Sequence, residues 1–178
     1  ALFVGISTGA GIVISQNFGA GDRKKLSESI GNCITLAAIA SAVTTVIGVA
    51  VTTPLLRMLD TPSSIIDWSG SYLHIIFWGV AGCAFYNILS GILRGLGDSV
   101  SALAFLLLST VLNIGLDVWF VAGFDMKVAG VALATVLAQG ISAVMCLWKL
   151  LRMRDVFDLT FDSLRLRRDS AARIVRIG

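Results

Sequence analysis

Apolar residues fall in five blocks along this chain, roughly 1–16, 31–53, 71–93, 101–122 and 128–150, with short polar breaks between them. Each of the last four is about 22 residues long, close to the roughly 20 that carry an α-helix across a hydrocarbon core. The first is too short to span. None of the blocks alternates strictly between apolar and polar positions, so barrel strands of about 10 residues are excluded. The pattern predicts an all-α integral membrane protein, a helical bundle of about five transmembrane helices whose first is truncated.

The breaks have their own chemistry. Phe18-Gly19-Ala20-Gly21-Asp22 is followed by Arg23, Lys24 and Lys25, and Arg94-Gly95-Leu96-Gly97-Asp98-Ser99 has the same make-up. In each, glycine can end one helix and the Asp can cap the next. Gly123-Phe124-Asp125-Met126-Lys127 forms a further break, and another runs from Pro54 through Asp67, with Arg57, Asp60 and Pro62 inside it. The spacings Gly5-x-x-x-Gly9 and Gly91-x-x-x-Gly95 mark close helix contacts.

Charge adds an orientation. Twelve of the 14 Lys and Arg residues lie on alternate connections, and only Arg57 and Lys127 lie on the other side. The positive-inside bias therefore makes the breaks around 17–30 and 94–100, and everything after 150, cytoplasmic in a multi-pass cell-membrane protein. Trp68, Tyr72, Trp119 and Trp148 sit near block ends, where amphipathic rings prefer the interface. Composition agrees: 56% of residues are hydrophobic and 14% charged, against roughly 25% charged in soluble domains. Cys33, Cys83 and Cys146 lie in apolar stretches, with neither disulfide nor metal spacing. Residues 1–150 read as a membrane-spanning helical domain and 151–178 as a basic, partly helical linker at the membrane surface. The chain starts inside an apolar run without Met and ends as another begins, so it reads as a piece of a longer protein.

An ionisable group at mid-helix costs about 2.5–3.5 kcal/mol on insertion scales, so each one needs a reason. Asp117 is the one carboxylate inside a block, about five residues from the outer end of its helix. Asn113 shares its face one turn deeper. The next helix runs back inwards from Val128, which puts Thr135 roughly 10 Å below the outer surface, between the depths of Asp117 and Asn113. Gln139 follows one turn below Thr135. A carboxylate, an amide and a hydroxyl at one level suit a hard cation such as Na⁺; Asp117 could equally trade a proton. Asn87 reads as helix-packing glue before it reads as a secondary polar ligand, and the lone His74 as interfacial. His-Glu-x-x-His, a Walker glycine loop and a Ser/His pairing are all absent, which leaves no support for an enzyme or an ATP-driven motor. Neither a cofactor nor a nucleic-acid partner is expected.

The stretch Ile14-Ser15-Gln16-Asn17-Phe18-Gly19-Ala20-Gly21-Asp22 resembles the end of the second helix of multidrug and toxic compound extrusion (MATE) transporters. Leu93 to Ser99 resembles their loop between the fourth and fifth helices. Leu112-Asn113-Ile114-Gly115-Leu116-Asp117 and Val128-Ala129-Gly130-Val131-Ala132-Leu133-Ala134-Thr135 are similar to their fifth and sixth helices. The resemblance implies the second to sixth helices of a twelve-helix, two-lobe antiporter whose C-terminal lobe lies outside this sequence. It implies export of small cationic, amphipathic organic substrates in exchange for Na⁺ or H⁺, with Asn113, Asp117 and Thr135 as cation ligands and the lipid bilayer as surroundings. Two rivals remain: a lipid-linked oligosaccharide flippase of the same superfamily and a non-transporting membrane scaffold. Apart from Lys149 at the very end of the last one, the four full spans carry no basic residue, which favours cationic cargo over an anionic lipid carrier.

Overall fold

The computed structural model describes residues 2–59, 63–124, 126–153, 155–158, 160, 163–165 and 168–177. Six α-helices account for most of them: α1 (Leu2–Gly19), α2 (Arg23–Met58), α3 (Ser63–Gly95), α4 (Ser99–Val118), α5 (Lys127–Arg152) and α6 (Arg168–Ile177). Between α4 and α5, Trp119–Gly123 forms a π-helical turn. Four helices are long and apolar enough to cross a membrane, namely α2, α3, α4 with its π turn, and α5.

Two turns with the same Gly-x-Gly-Asp pattern join α1 to α2 and α3 to α4. Gly21 and Gly97 take positive φ, 67° and 86°, a conformation that carries little penalty only without a Cβ. The following N–H closes the expiring helix, Asp22 onto Asn17 and Asp98 onto Leu93. Each Asp then caps the next helix, accepting from the Lys25 N–H at 3.0 Å and from the Ser101 N–H at 3.0 Å. The expected division of labour between glycine and aspartate is therefore found in both turns. At Asp98, partial burial pushes the carboxyl up, but Ser101 and the Lys149 ammonium 3.4 Å away outweigh it and hold it below 3.8. That ion pair also ties the start of α4 to the end of α5.

The helices outrun the apolar blocks. The break around 17–30 is a turn of only a few residues, because α2 starts at Arg23. At its other end α2 continues past Pro54 to Met58, and Leu59 N–H still reaches the Leu55 carbonyl at 3.0 Å. Asp60 and Pro62 lie outside the described residues. Similarly, α3 begins at Ser63, well before the apolar block at 71. The reason is that hydrophobicity sets where a helix meets lipid, whereas backbone hydrogen bonds and caps set where it ends. At 1.5 Å per residue α2 is about 54 Å long, so its ends project beyond a hydrocarbon core of about 30 Å.

Helix α3 is the hub, with 44% of its most apolar stretch buried against 11% in α2 and in α4. Small residues let its neighbours approach. On the α1 side, a Cβ at Gly91 would sit 2.6 Å from the Ser7 carbonyl oxygen, and one at Gly95 2.7 Å from that of Gly11. The Gly91/Gly95 pair thus makes the predicted close contact. Ser7 donates to the Asn87 carbonyl, and the Arg94 guanidinium bonds Ser90 and Ser7 at 3.0 and 3.2 Å. Towards α2, Gly48 lies under the Phe77 ring and Thr45 donates to the Phe77 carbonyl at 2.9 Å. On its remaining side Gly79 faces Val136, and Gly82 meets the Gly140 backbone. Fully buried Ile14, Ile30, Ile88, Ile92, Leu93 and Leu150 pack together towards the cytoplasmic end.

Described residues after 150 pack back onto the same end of the bundle. Phe157 and Ile174 are buried in the core cluster, and α6 packs on α1 and α2.

Replacing Gly91 with Val should wedge α1 from α3 and lower stability by about 1–3 kcal/mol, since the Cβ meets backbone that cannot swing away. A thermal unfolding midpoint unchanged from wild type would refute this reading of the contact. Asp98→Ala should cost about 0.5–2 kcal/mol through the lost cap. The depressed Asp98 carboxyl contributes stability above its ordinary 3.8 and loses it as pH falls through the folded value. Unfolding of Asp98→Ala should accordingly be less acid-sensitive than wild type in that range.

Candidate functional site

Helices α4 and α5 are antiparallel neighbours, and their polar residues meet in the outer half. The Asn113 amide donates from Nδ2 to Thr135 Oγ1 at 3.2 Å, and Thr135 in turn donates to the Val131 carbonyl at 3.0 Å. Thr135 lies at the level of Asn113, at the deep edge of the interval expected for it. With one Asn113 N–H and the Thr135 hydroxyl proton committed, the Asn113 side-chain carbonyl oxygen and a lone pair of Thr135 are the acceptors that remain.

Asp117 lies one helical turn outward of Asn113 and is half-buried. Its Oδ1 is sealed from the surface and has no hydrogen-bond partner among the described residues. Buried polar atoms are paired in the great majority of cases, and a carboxylate oxygen left over inside an apolar bundle is the costliest kind to leave so. Neither Asn113 nor Thr135 satisfies it. The three side chains are therefore brought to one region, two of them bonded and the third waiting. No cluster of three or more His, Cys, Asp or Glu residues occurs among the described residues.

The π turn Trp119–Gly123 follows directly after Asp117 and Val118. Wide turns of this kind break the regular i to i−4 ladder and recur at functional sites. The Trp119 ring stacks on Phe120 at 5.6 Å and meets Phe124 edge-on at 5.6 Å. A Cβ on Gly130 would come within 3.1 Å of the Phe120 Cβ and 3.0 Å of that of Met126, so this glycine lets α5 start tightly under the turn. Sequence reading missed the turn, because an apolar run gives no periodic sign of one inserted residue; the three aromatics around Gly123 were the available hint.

The secondary polar residues separate cleanly. Asn87 spends its side-chain amide within α3, on the Cys83 carbonyl at 2.7 Å, and the Ser7 hydroxyl of α1 meets only its backbone carbonyl. Gln139 has no hydrogen bond among the described residues and faces neither Asn113 nor Thr135 through one. His74 lies three turns into α3, three residues inside its apolar block, with Nε2 sealed and unpartnered among the described residues.

Comparison with known proteins places these features in a family. The MatE family model matches residues 1–119. The chain is 34% identical over 142 residues to the probable multidrug resistance protein YpnP of Bacillus subtilis, covering 80% of this chain and 32% of that protein. It is 30% identical over 184 residues to YoeA of the same organism, covering 98% and 39%. Among solved structures, an inward-facing multidrug resistance MATE transporter of the MOP superfamily matches with a TM-score of 0.93 at 26% identity, over 99% of this chain and 40% of that one. The outward-facing conformation of a multidrug resistance MATE family transporter matches with 0.92 at 25% identity, over 99% and 39%. The chain thus spans between about a third and two fifths of the length of these relatives. The family model, the multi-pass helical fold and the order of its motifs agree: this chain belongs to the MatE family of multidrug and toxic compound extrusion transporters.

Proposed function

We propose that this chain is most of the N-terminal lobe of a cation-coupled antiporter that exports small cationic, amphipathic compounds across the cell membrane by alternating access. Its coupling-ion site is Asp117 with Asn113 and Thr135. The observation that carries the reading is the orphaned Asp117 Oδ1 beside the Asn113–Thr135 pair. A carboxylate in that setting is stabilised by taking up Na⁺ or a proton and penalised when it holds neither. Multidrug relatives support the cargo class, and their two solved conformations support alternation between inward- and outward-facing states.

The mechanism follows from differential affinity. If the site is loaded more readily in one state than in the other, cation exchange shifts the population between them, and the shift is no larger than that difference. Cationic cargo and coupling cation then favour opposite states, and release of one accompanies capture of the other. The Asn113–Thr135 bond orients the amide carbonyl across the α4–α5 interface, so these two residues position neutral oxygens while Asp117 supplies the charge. The full spans carry no mid-helix Lys or Arg that would hold an anionic lipid carrier, which is why cationic cargo is favoured over a flippase substrate.

In the complete protein, efflux of ethidium from vesicles should follow an imposed Na⁺ or proton gradient and be abolished in Asp117→Asn. Gradient-driven efflux that persists in the mutant would remove Asp117 from the mechanism. Replacing Thr135 with Val should keep transport while weakening its apparent affinity for the coupling ion about tenfold, equivalent to about 1.4 kcal/mol. An unchanged ion dependence would exclude Thr135 as a ligand.

A further inference from the structure

The stretch after α5 is held to the cytoplasmic ends of α1 and α2 by contacts of several independent kinds. Arg23 grips Asp158 with both arms of its fork, at 2.9 and 3.1 Å, and also donates to the Asp155 carbonyl at 2.9 Å. The Asp158 N–H donates to Ser27 Oγ at 2.9 Å, and Thr35 donates to the Leu164 carbonyl at 2.7 Å. Along one face of α2, residues 23, 27, 31 and 35 therefore engage the segment at every turn.

At the centre of that face the approach is closer than any side chain permits. A Cβ on Gly31 would fall 1.9 Å from the Ser163 carbonyl oxygen and 2.3 Å from its carbon. The segment's backbone thus lies directly on the helix. Two apolar anchors flank this contact: Phe157 is 2% exposed and Ile174 is 0% exposed. Finally Arg173 donates to Gln16 at 2.9 Å and fastens α6 to α1.

Detaching such a segment would uncover both anchors and break several long-range hydrogen bonds at once, so it has no intermediate half-open form. The inward- and outward-facing relatives match this chain almost equally well over 99% of its length, a coverage that takes in nearly all of this segment. We propose that the described residues after α5 (153, 155–158, 160, 163–165 and 168–177) form a fixed arm of this lobe, seated on the Gly31 face of α2 and carried with it as one rigid body through the cycle. The inference rests on reading the chain as a lobe of an alternating-access transporter.

Two measurements on the complete protein test it. In a background with Cys33, Cys83 and Cys146 replaced by Ala, Ser27→Cys with Asp158→Cys places two thiols where a donor–acceptor contact of 2.9 Å now brings the chains within disulfide reach. Efflux after complete oxidation, checked by loss of maleimide-reactive thiol, should equal efflux of the same variant after reduction. Efflux lost on oxidation and restored by reductant would overturn the proposal, because the arm would then have to leave α2 for transport. Spin labels at the exposed Lys24 and Thr160 give a readout that does not require efflux. A single narrow distance, the same in high Na⁺, at low pH and with cargo, supports a fixed arm; a broad or condition-dependent one overturns it. Absence of efflux from wild type under every gradient would instead count against the functional reading and leave this distance to decide the arm.

Discussion

A bilayer supplies no hydrogen bonds, so each polar group within it must be satisfied by the protein itself. That constraint organises most of what is seen here. Within the spans, Thr8, Thr52, Thr110 and Thr135 turn their hydroxyls back onto carbonyls one turn earlier. Asn87 does the same with its amide. Where two helices approach most closely, Ser7 and Arg94 bridge them and glycines remove the side chains that would hold them apart. Against this background three buried polar atoms stay unpaired among the described residues, His74 Nε2, Ser142 Oγ and Asp117 Oδ1, and only the last belongs to a carboxylate.

The same constraint explains why the site sits where it does. Helices α4 and α5 bond through Asn113 and Thr135, so neither residue can turn to Asp117 without giving up an existing partner. On the proposed reading, an exchanging cation is what balances the carboxylate. The π turn directly beyond it departs from regular helix in the outer half of α4 and stacks three aromatic rings there. Charge and conformation are thus joined within a few residues. At the end where α1 meets α2 the design is the opposite: caps, ion pairs and buried anchors engage one another.

Much of this was legible from residue order alone. Block lengths near one bilayer thickness foretold the spans, and Gly21-Asp22 and Gly97-Asp98 foretold turns that end one helix and cap the next. Counting 1.5 Å per residue on antiparallel helices was enough to bring Thr135 to Asn113. Helix ends were not legible, because α2 and α3 continue into water where hydropathy falls silent. The docking of the segment after Arg152 was hidden for another reason. Phe157, Ser163 and Ile174 have no common period, and each finds its place on residues more than a hundred positions earlier. Asn87 and Gln139 looked alike as polar residues inside spans; only the contacts of Asn87 show what it is for.

The central claim is that Asp117 exchanges its cation against cargo. It is tested most directly by ion release from the purified complete protein. In weakly buffered solution containing Na⁺, cationic cargo should release Na⁺ or protons on binding to wild type, and Asp117→Asn should release measurably less while still binding cargo. Equal ion release from the two proteins at equal cargo bound would contradict the account.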